Sequence, residues 1–261
     1  MTVTTSSRVN HKLEEKAVSV AERYGLRYVP RKNRSLSYLL DNIDPQIFVV
    51  NEARGLSYYE KGKSEAFFHP NMAFLRIKNM EMGERDSLVE VCGLGEGMSC
   101  LDATLGLASD ALTLSYAVGS SGRCTGVEKS RSIYILVKEG LACYAEIYPN
   151  LRDTISRIDI HNGDNLEFMK TRADKSYDAV YFDFMFESPN AKSHGIQVIR
   201  EHAVGDKMTE RHIDEAVRVA RRSVVVKCDA AGMERLVRCG FEVKRGNSRK
   251  SFYYVGYDLN G

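Results

Sequence analysis

The sequence predicts an α/β protein in which a mostly parallel sheet, covered by helices on both faces, follows a smaller N-terminal α+β region. Two observations support the main sheet. Short apolar runs alternate with amphipathic helical stretches from about residue 85 onward. Two extended runs joined by a basic turn close the chain and predict a terminal antiparallel hairpin. The first 80 residues lack the alternation, so we predict one domain over residues 1–80 and a second over 81–261.

The N-terminal region begins with a predicted strand at residues 3–5 and a predicted helix at residues 9–24. The helix ends at Gly25, a residue that commonly terminates helices. Residues 47–50 and 56–59 flank a polar turn and predict a hairpin, and residues 71–78 predict a second helix. The apolar face of the first helix is formed by Leu13, Ala17, Val20 and Ala21.

The main region contains five predicted strands and four predicted helices in alternation, which indicates parallel pairing. The strands are predicted at residues 98–102, 123–128, 157–162, 179–183 and 223–227. The helices are predicted at residues 109–116, 132–145, 165–170 and 209–221. The terminal hairpin combines residues 241–243 with residues 251–257.

Charge gives a weak indication of the partner. The net charge of the 261 residues is only +2. Residues 1–85 carry 14 Lys and Arg against 10 Asp and Glu, and Arg27, Arg31, Lys32 and Arg34 lie close together. Such a cluster is either a solvated loop or a contact for phosphate groups.

The cysteine pattern and the hydropathy of the sequence argue against a zinc-binding, a secreted or a membrane-spanning protein. The six cysteines form no Cys-x-x-Cys pair and have no histidine at zinc-finger spacing, so we expect no metal. No signal peptide opens the sequence, and no uncharged apolar run reaches the roughly 18–20 residues of a membrane span. We therefore expect a reduced, cytoplasmic protein that does not enter a membrane.

The turn after the first main strand is the first candidate site. Asp102 ends the strand, Gly106 lies in the turn, and a helix begins at about Asp110. Such a turn exposes helix N–H groups to a nucleotide-like ligand, and the acid can face an amino group. Alternatively, Asp102 only caps the loop and Gly106 only supplies a positive φ.

Three further acids end the following predicted strands. Glu128 lies some twenty residues after the first turn, where an acid can accept hydrogen bonds from the hydroxyl groups of a ribose. Asp164 either caps a helix or contacts an adenine amino group, and both roles are compatible. Asp183 precedes Phe184 and Phe186, which either stack on a substrate base or belong to the core.

A glycine-rich segment at residues 93–97 is not a phosphate loop. It precedes the first main strand, whereas a phosphate loop lies between a strand and a helix. We therefore interpret it as a linker, which disfavours an NAD-dependent oxidoreductase.

With these residues and the terminal hairpin, the sequence resembles the class I S-adenosylmethionine-dependent methyltransferases, and more closely the ribosomal small-subunit methyltransferase J family with its Gram-positive-type relatives. The resemblance implies a Rossmann-like, seven-stranded fold. The matching segments are residues 68–73, 101–110, 127–129, 180–186 and 222–227. It covers residues 65–257 well, whereas the first 60 residues match only the Gram-positive-type relatives.

The resemblance also implies functions for individual residues. The cofactor, S-adenosylmethionine, is expected to contact residues at four strand ends, and the substrate is expected to be ribosomal RNA, methylated at the exocyclic N2 amine of a guanine. Asp183, Phe184 and Phe186 are the candidate catalytic residues. The cofactor residues are Asp102, Gly106, Ser109, Asp110, Glu128, Lys129, Gly163, Asp164 and Asp183.

The sequence departs from the family at one position. The family has Asp-Pro-Met-Phe where this chain has Asp183-Phe184-Met185-Phe186. Proline fixes its own backbone φ angle, whereas phenylalanine leaves this angle free to vary. Cofactor binding is expected to persist, whereas two outcomes stay open for turnover: an active RNA methyltransferase, or a catalytically impaired RNA- or ribosome-binding protein.

Overall fold

The structure is a computed structural model that describes residues 1–184, 208–247 and 252–259. Two sheets are present in the described part. The first has five strands in the order β2-β1-β3-β4-β5, and the second has seven in the order β11-β12-β10-β9-β6-β7-β8.

The five-stranded sheet is built from the N-terminal residues. Its strands are β1 (Thr2–Thr5), β2 (Arg27–Tyr28), β3 (Gln46–Asn51), β4 (Gly55–Glu60) and β5 (Ala66–Phe67). β1 pairs in parallel with β2 and β3, and β3 and β4 form the predicted antiparallel hairpin. The predicted first strand and first helix are confirmed.

The seven-stranded sheet contains the predicted alternation. Its strands are β6 (Ser99–Asp102), β7 (Arg123–Glu128), β8 (Ile158–Asn162), β9 (Tyr177–Asp183), β10 (Ala220–Cys228), β11 (Glu242–Asn247) and β12 (Phe252–Asp258). The five strands β6 to β10 are parallel, and β12 is antiparallel to both β10 and β11. The α/β prediction with an antiparallel terminal hairpin is confirmed.

In the described part of the chain, ten α-helices and one 3-10 helix, Pro149–Leu151, connect and cover the strands. The α-helices are α1 (His11–Arg23), α2 (Leu36–Asn42), α3 (Asn71–Glu81), α4 (Ser87–Cys92), α5 (Ser109–Ala117), α6 (Arg131–Ile147), α7 (Arg152–Ser156), α8 (Asn165–Lys170), α9 (Glu210–Val219) and α10 (Ala230–Arg238). The prediction of a helix over residues 209–221 was wrong at its end. The chain leaves the helical conformation at Ala220, which is extended and pairs with Tyr177 of β9.

The central strands are apolar on both faces because helices cover both faces. Along β9, Ala179 and Tyr181 pack in one cluster with helices α3 to α6, whereas Val180 and Phe182 pack in another with helices α8 to α10. Successive side chains of a strand point to opposite faces. The two apolar clusters are therefore the two layers that enclose the sheet.

Helix α6 joins the two sheets. Ile133 and Val137 pack in the core of the larger sheet, while Ile135 and Leu136 pack in the core of the smaller one. A close approach fixes this helix, since a Cβ at Gly140 would lie 2.2 Å from Cγ of Phe68. The boundary at residues 80 and 81 stays a prediction.

Candidate active site

The turn after β6 contains two residues in the left-handed backbone region. Gly106 has a φ of 51° and Ala108 a φ of 60°. For alanine this conformation costs about 1–2 kcal/mol. It is held there because Ala108 is fully buried and donates its N–H to the carbonyl of Leu105 at 2.8 Å. Helix α5 begins at the next residue, Ser109, and its N-cap residue, Ala108, forms no side-chain hydrogen bond to the first N–H groups. An anionic ligand group can accept these hydrogen bonds.

Asp102 is a buried carboxylate with one oxygen left without a partner. The residue is 1% exposed, and its Oδ1 accepts a hydrogen bond from the Thr104 N–H at 3.1 Å. Among the described residues, Oδ2 has no hydrogen-bond partner. Burial, reinforced by the charge of Asp110, raises the pKa of Asp102 well above its ordinary value. A cationic ligand group at Oδ2 would compensate the buried charge.

Glu128 lies at the carboxyl end of β7, beside the turn. Its Oε2 accepts a hydrogen bond from the Gly106 N–H at 3.0 Å, and its Oε1 accepts one from the Ser130 N–H at 2.7 Å. Burial raises the pKa of Glu128 to about 7, although these N–H groups favour the charged form. The carboxylate therefore joins the ends of two strands and changes charge near neutral pH.

Asp164 caps helix α8 and also pairs with Lys129. Its Oδ1 accepts hydrogen bonds from the N–H groups of Leu166 and Glu167, and its Oδ2 lies 3.0 Å from the Lys129 ammonium. Burial alone would raise the pKa of Asp164, but the hydrogen bond from Lys129 and the helix N–H groups lower it. The predicted capping role is confirmed. A Cβ added at Gly163 would meet nothing within 4 Å, so the adjoining space is open.

Asp183 is fixed at the end of β9 through both its backbone and its side chain. Its N–H donates to Oγ1 of Thr104 at 2.6 Å, which ties the strand end to the turn after β6. Its Oδ2 accepts a hydrogen bond from the Lys227 ammonium at 2.6 Å. Burial raises the pKa of Asp183, and Lys227 offsets part of this effect. The side chain is 30% exposed, so a ligand can reach it.

Asp110 points into a cluster of cations and a tyrosine. Its Oδ1 accepts a charge-assisted hydrogen bond from Arg76, and its Oδ2 accepts the Tyr181 hydroxyl at 2.8 Å. The Lys227 ammonium lies 3.9 Å from the same Oδ2. Burial would raise the pKa of Asp110, but Lys227 and Arg76 hold it below the ordinary value. These contacts orient the first turn of α5.

Phe184 packs on the protein interior. Its ring is stacked on Phe182, with centroids 5.4 Å apart and planes at 11°, and meets His212 edge-on at 5.8 Å. One face of the half-buried ring is therefore covered by the chain itself. Phe186, the third candidate catalytic residue, lies outside the described residues.

Two cations of the site were missed by the sequence-based prediction. Lys227 ends β10, which pairs with β9 in a register that places it opposite Asp183. That position could have been read from the strand order. Arg76 comes from helix α3, and its guanidinium binds Asp86 through two hydrogen bonds of 2.7 and 2.8 Å in addition to Asp110. No local sequence signal indicates this contact.

Comparison with known proteins identifies the family. Residues 41–250 match the family described as "Putative SAM-dependent methyltransferase". The chain belongs to this family. Members use S-adenosylmethionine as the methyl donor, so the protein is an S-adenosylmethionine-dependent methyltransferase.

Two curated relatives of this methyltransferase are similar in sequence. It is 36% identical to the "Uncharacterized protein YpiP" of Bacillus subtilis over 253 residues, which are 97% of this chain and 98% of the relative. It is 29% identical to the "Ribosomal RNA small subunit methyltransferase J" of Marinobacter nauticus over 133 residues, which are 50% of this chain and 46% of the relative.

A solved structure has the same fold. The methyltransferase is similar to NGO1261 from Neisseria gonorrhoeae, a SAM-dependent methyltransferase, with a TM-score of 0.62 and 18% identity. The match covers 100% of this chain and 97% of that one. The Rossmann-like methyltransferase fold expected from the sequence is therefore confirmed for the seven-stranded sheet.

The residues present fit S-adenosylmethionine. The cofactor carries an ammonium, a carboxylate and a ribose diol. Within the described residues, the turn presents a buried acid with an unpaired oxygen at Asp102, N–H groups at the start of α5 that the N-cap residue does not cap, and a second acid at Glu128. In the described part of the chain, no group of three metal-binding side chains occurs. No described helix is long and apolar enough to span a membrane.

Proposed function

We propose that this protein methylates the exocyclic N2 amine of a guanine in small-subunit ribosomal RNA. The placement of Asp183 carries the proposal. One carboxylate oxygen is held by Lys227, and the strand end is tied to the cofactor turn through Thr104. Among the described residues, Oδ1 of Asp183 has no hydrogen-bond partner and can accept one from an amine. The similarity to the ribosomal RNA small subunit methyltransferase J of Marinobacter nauticus supports RNA as the substrate.

The cofactor residues are assigned by their chemistry. Asp102 receives the ammonium, and the N–H groups that open α5 at Ser109 and Asp110 receive the carboxylate. Glu128 accepts the ribose hydroxyls, with Gly106 leaving room for the ligand against the backbone. The open space beside Gly163, near Asp164 and Lys129, would hold the adenine.

The bound cofactor supplies an electrophilic methyl group on its sulfonium. In the overall reaction a nitrogen–carbon bond forms, the carbon–sulfur bond breaks, and the amine releases one proton to water. Asp183 orients the amine by accepting one of its hydrogens, so that the nitrogen lone pair points at the methyl group. Holding the two reactants in line accounts for much of the rate gain in such a transfer. Phe184 forms a wall of the base pocket and is itself braced by Phe182. Phe186, which lies outside the described residues, stays a candidate catalytic residue from the sequence.

Basic side chains of the N-terminal region bind the phosphate groups of the RNA. Arg31 and Arg34 donate to each other's backbone carbonyls, which holds both guanidinium groups in one loop. Lys32 in the same loop has a left-handed φ of 46°. Among the described residues, none of these three, nor Arg27, forms an ion pair with a carboxylate. Such unpaired cations suit a polyanion, and phosphate contacts position RNA without reading its sequence.

The experiment uses small ribosomal subunits from cells that lack this gene. Purified protein and tritiated S-adenosylmethionine are added, and the RNA is digested and analysed for N2-methylguanine. The wild type is expected to restore one methylguanine, and Asp183→Ala is expected to lose it. Asp159→Ala is the control because Asp159 lies on an exposed strand position and its side chain is 70% exposed. Labelling elsewhere, or equal labelling by Asp183→Ala, contradicts the proposal.

A second candidate is an RNA- or ribosome-binding protein with impaired catalysis, and the interior packing of Phe184 favours it. The variant Phe184→Pro separates the two candidates. If the wild type is inactive and the proline variant methylates the subunit, the impaired protein is the correct description. If the wild type already methylates the subunit, that description fails.

A further inference from the structure

A second groove lies away from the cofactor turn. It has a volume of about 670 Å³ and separates the start of α1 and the β3–β4 turn from the end of α6. Helix α6 begins at Arg131, three residues after Glu128, and the groove lies at its far end around Ile147. Seventeen helical residues, at about 1.5 Å each, span roughly 25 Å. The groove is therefore separate from the methyl-transfer site.

The α6 side of the groove presents aromatic rings to solvent. Tyr144 and Tyr148, one helical turn apart, are stacked with ring centroids 5.5 Å apart and planes at 24°. Tyr144 is anchored edge-on against Phe68 at 5.3 Å, while Tyr148 remains 40% exposed. The neighbouring Ile147 is 58% exposed. A rigid aromatic ring held open to solvent is a surface on which a flat ligand can stack.

The opposite side of the groove is basic. Lys12 and Lys16 lie one turn apart on α1, and both are exposed. Among the described residues, neither has a carboxylate within ion-pair distance. Like charges at this spacing repel each other slightly, so the arrangement favours an anionic ligand. The acid that lines the groove, Glu52, accepts a hydrogen bond from Asn10 at 2.6 Å.

At the turn between β3 and β4, an arginine places a positive charge against an aromatic ring. The guanidinium of Arg54 lies 4.0 Å from the ring centroid of Phe67, and it also pairs with Glu65 at 3.1 Å. His69 meets the edge of the same ring at 5.7 Å. Cations and aromatic rings therefore both line the groove.

We propose that this groove binds a single-stranded segment of RNA. Proteins that hold single strands combine cations that follow the phosphates with aromatic rings on which bases stack. An acidic peptide would use the lysines but would leave the exposed ring of Tyr148 without a matching group. The proposal rests on the proposed function in taking RNA as the ligand. It adds a second contact, at the end of α6 that lies away from Glu128.

The lysines are tested through the salt dependence of binding. The full-length protein is titrated onto a fluorescein-labelled uridine oligonucleotide of about 12 residues, within the length range that such sites occupy. Each phosphate contact on a single strand contributes about −0.7 to the slope of log K against log salt. Lys12→Ala/Lys16→Ala is therefore expected to reduce the slope by about 1.4. The control Lys61→Ala/Lys170→Ala removes the same charge from two lysines already paired with acids, and its slope is expected to match the wild type.

The aromatic ring is tested by a matched series. Tyr148→Ala is expected to weaken oligonucleotide binding about tenfold, in the range that loss of one stacked base produces. Tyr148→Phe keeps the ring and is expected to bind like the wild type. Tyr38→Ala removes another ring that is 48% exposed and is expected to have no effect.

The outcomes separate this inference from the proposed function. Equal slopes for the two lysine pairs, together with unchanged binding by Tyr148→Ala, overturn the groove as an RNA site even if the protein methylates ribosomal RNA. If the groove variants lose oligonucleotide binding but no methylguanine is formed, the proposed function fails and the groove assignment stands.

Discussion

The ammonium of Lys227 lies 2.6 Å from Oδ2 of Asp183, at the point where β9 and β10 end side by side. The same ammonium lies 3.9 Å from Asp110, so one cation balances two acids that come from different strand–helix turns. This placement links the start of α5, where the cofactor is expected to bind, with the acid expected to orient the substrate. The two sites are therefore electrostatically coupled.

Removal of the Lys227 charge is expected to destabilise the protein and shift its pH–rate profile. Lys227→Ala leaves two neighbouring carboxylates with less compensation. The free energy of unfolding is expected to fall by about 2 kcal/mol. This is less than for a fully buried ion pair, because the side chains of Lys227 and Asp183 are 22% and 30% exposed. The pKa of Asp183 should rise, so the acid limb of the rate profile should move to higher pH. Urea unfolding and activity against pH measure both effects, with Lys170→Ala as the control; an unmoved acid limb contradicts the coupling.

Substitution of Arg76 is expected to loosen the start of α5. Arg76→Ala leaves Asp86 and Asp110, which are 10% and 17% exposed, without their shared guanidinium. A loss of about 3 kcal/mol of unfolding free energy is expected, together with weaker cofactor binding. Arg85→Ala is the control, because that side chain is 86% exposed and lies 3.8 Å from its partner. Its effect should stay within about 0.5 kcal/mol. Full stability of Arg76→Ala in urea would show that the contact contributes little.

Because the pKa of Glu128 is raised, we expect the stability of the protein and its affinity for the cofactor to change with pH in opposite directions. Its folded pKa of about 7 lies above its unfolded value of about 4.3, so the folded protein holds the proton more tightly. Unfolding free energy should therefore fall as pH rises between these values, by up to roughly 4 kcal/mol. The ionised form accepts both ribose hydroxyls, so affinity for S-adenosylmethionine should rise about tenfold from pH 6 to pH 8.

The variant Glu128→Gln isolates this group. It cannot ionise, so both the fall in stability and the rise in affinity attributable to residue 128 should disappear. Unfolding in urea and calorimetric titration with the cofactor at pH 6 and pH 8 measure the two quantities. If the variant keeps the same pH dependence as the wild type, another group is responsible.

Phe184 is expected to contribute to the stability of the fold but not to the affinity for the cofactor. Phe184→Leu removes the stack on Phe182 and the edge contact with His212, at a cost of about 1–2 kcal/mol. Affinity for S-adenosylmethionine should not change, because the cofactor turn is formed by other residues. Thermal unfolding with and without the cofactor tests both statements; an affinity loss equal to that of a Glu128 variant would place Phe184 in the cofactor site.

The described elements that were not predicted from the sequence are short: helices α2, α4, α7 and α10, and the two-residue strands β2 and β5. Helices α4 and α7 have six and five residues, and α10 has a glycine, Gly232, in its first turn. Helices of this length are marginal on their own and form mainly through tertiary packing. The side chain of Asp86 caps α4 and is itself held by Arg76, a contact ten residues distant in sequence. Local periodicity carries little information about such segments.

The sequence by itself determined the fold class, the alternation of strands and helices along the chain, and the acids at the ends of the parallel strands. These follow from apolar periodicity and from the rule that parallel strands place their carboxyl ends at one edge. Only the tertiary structure decided which partners those acids have. Lys227, Arg76 and Tyr181 meet Asp110 and Asp183 because helix packing and strand register bring distant residues together, and the charge of a buried carboxylate depends on those neighbours rather than on its own sequence context.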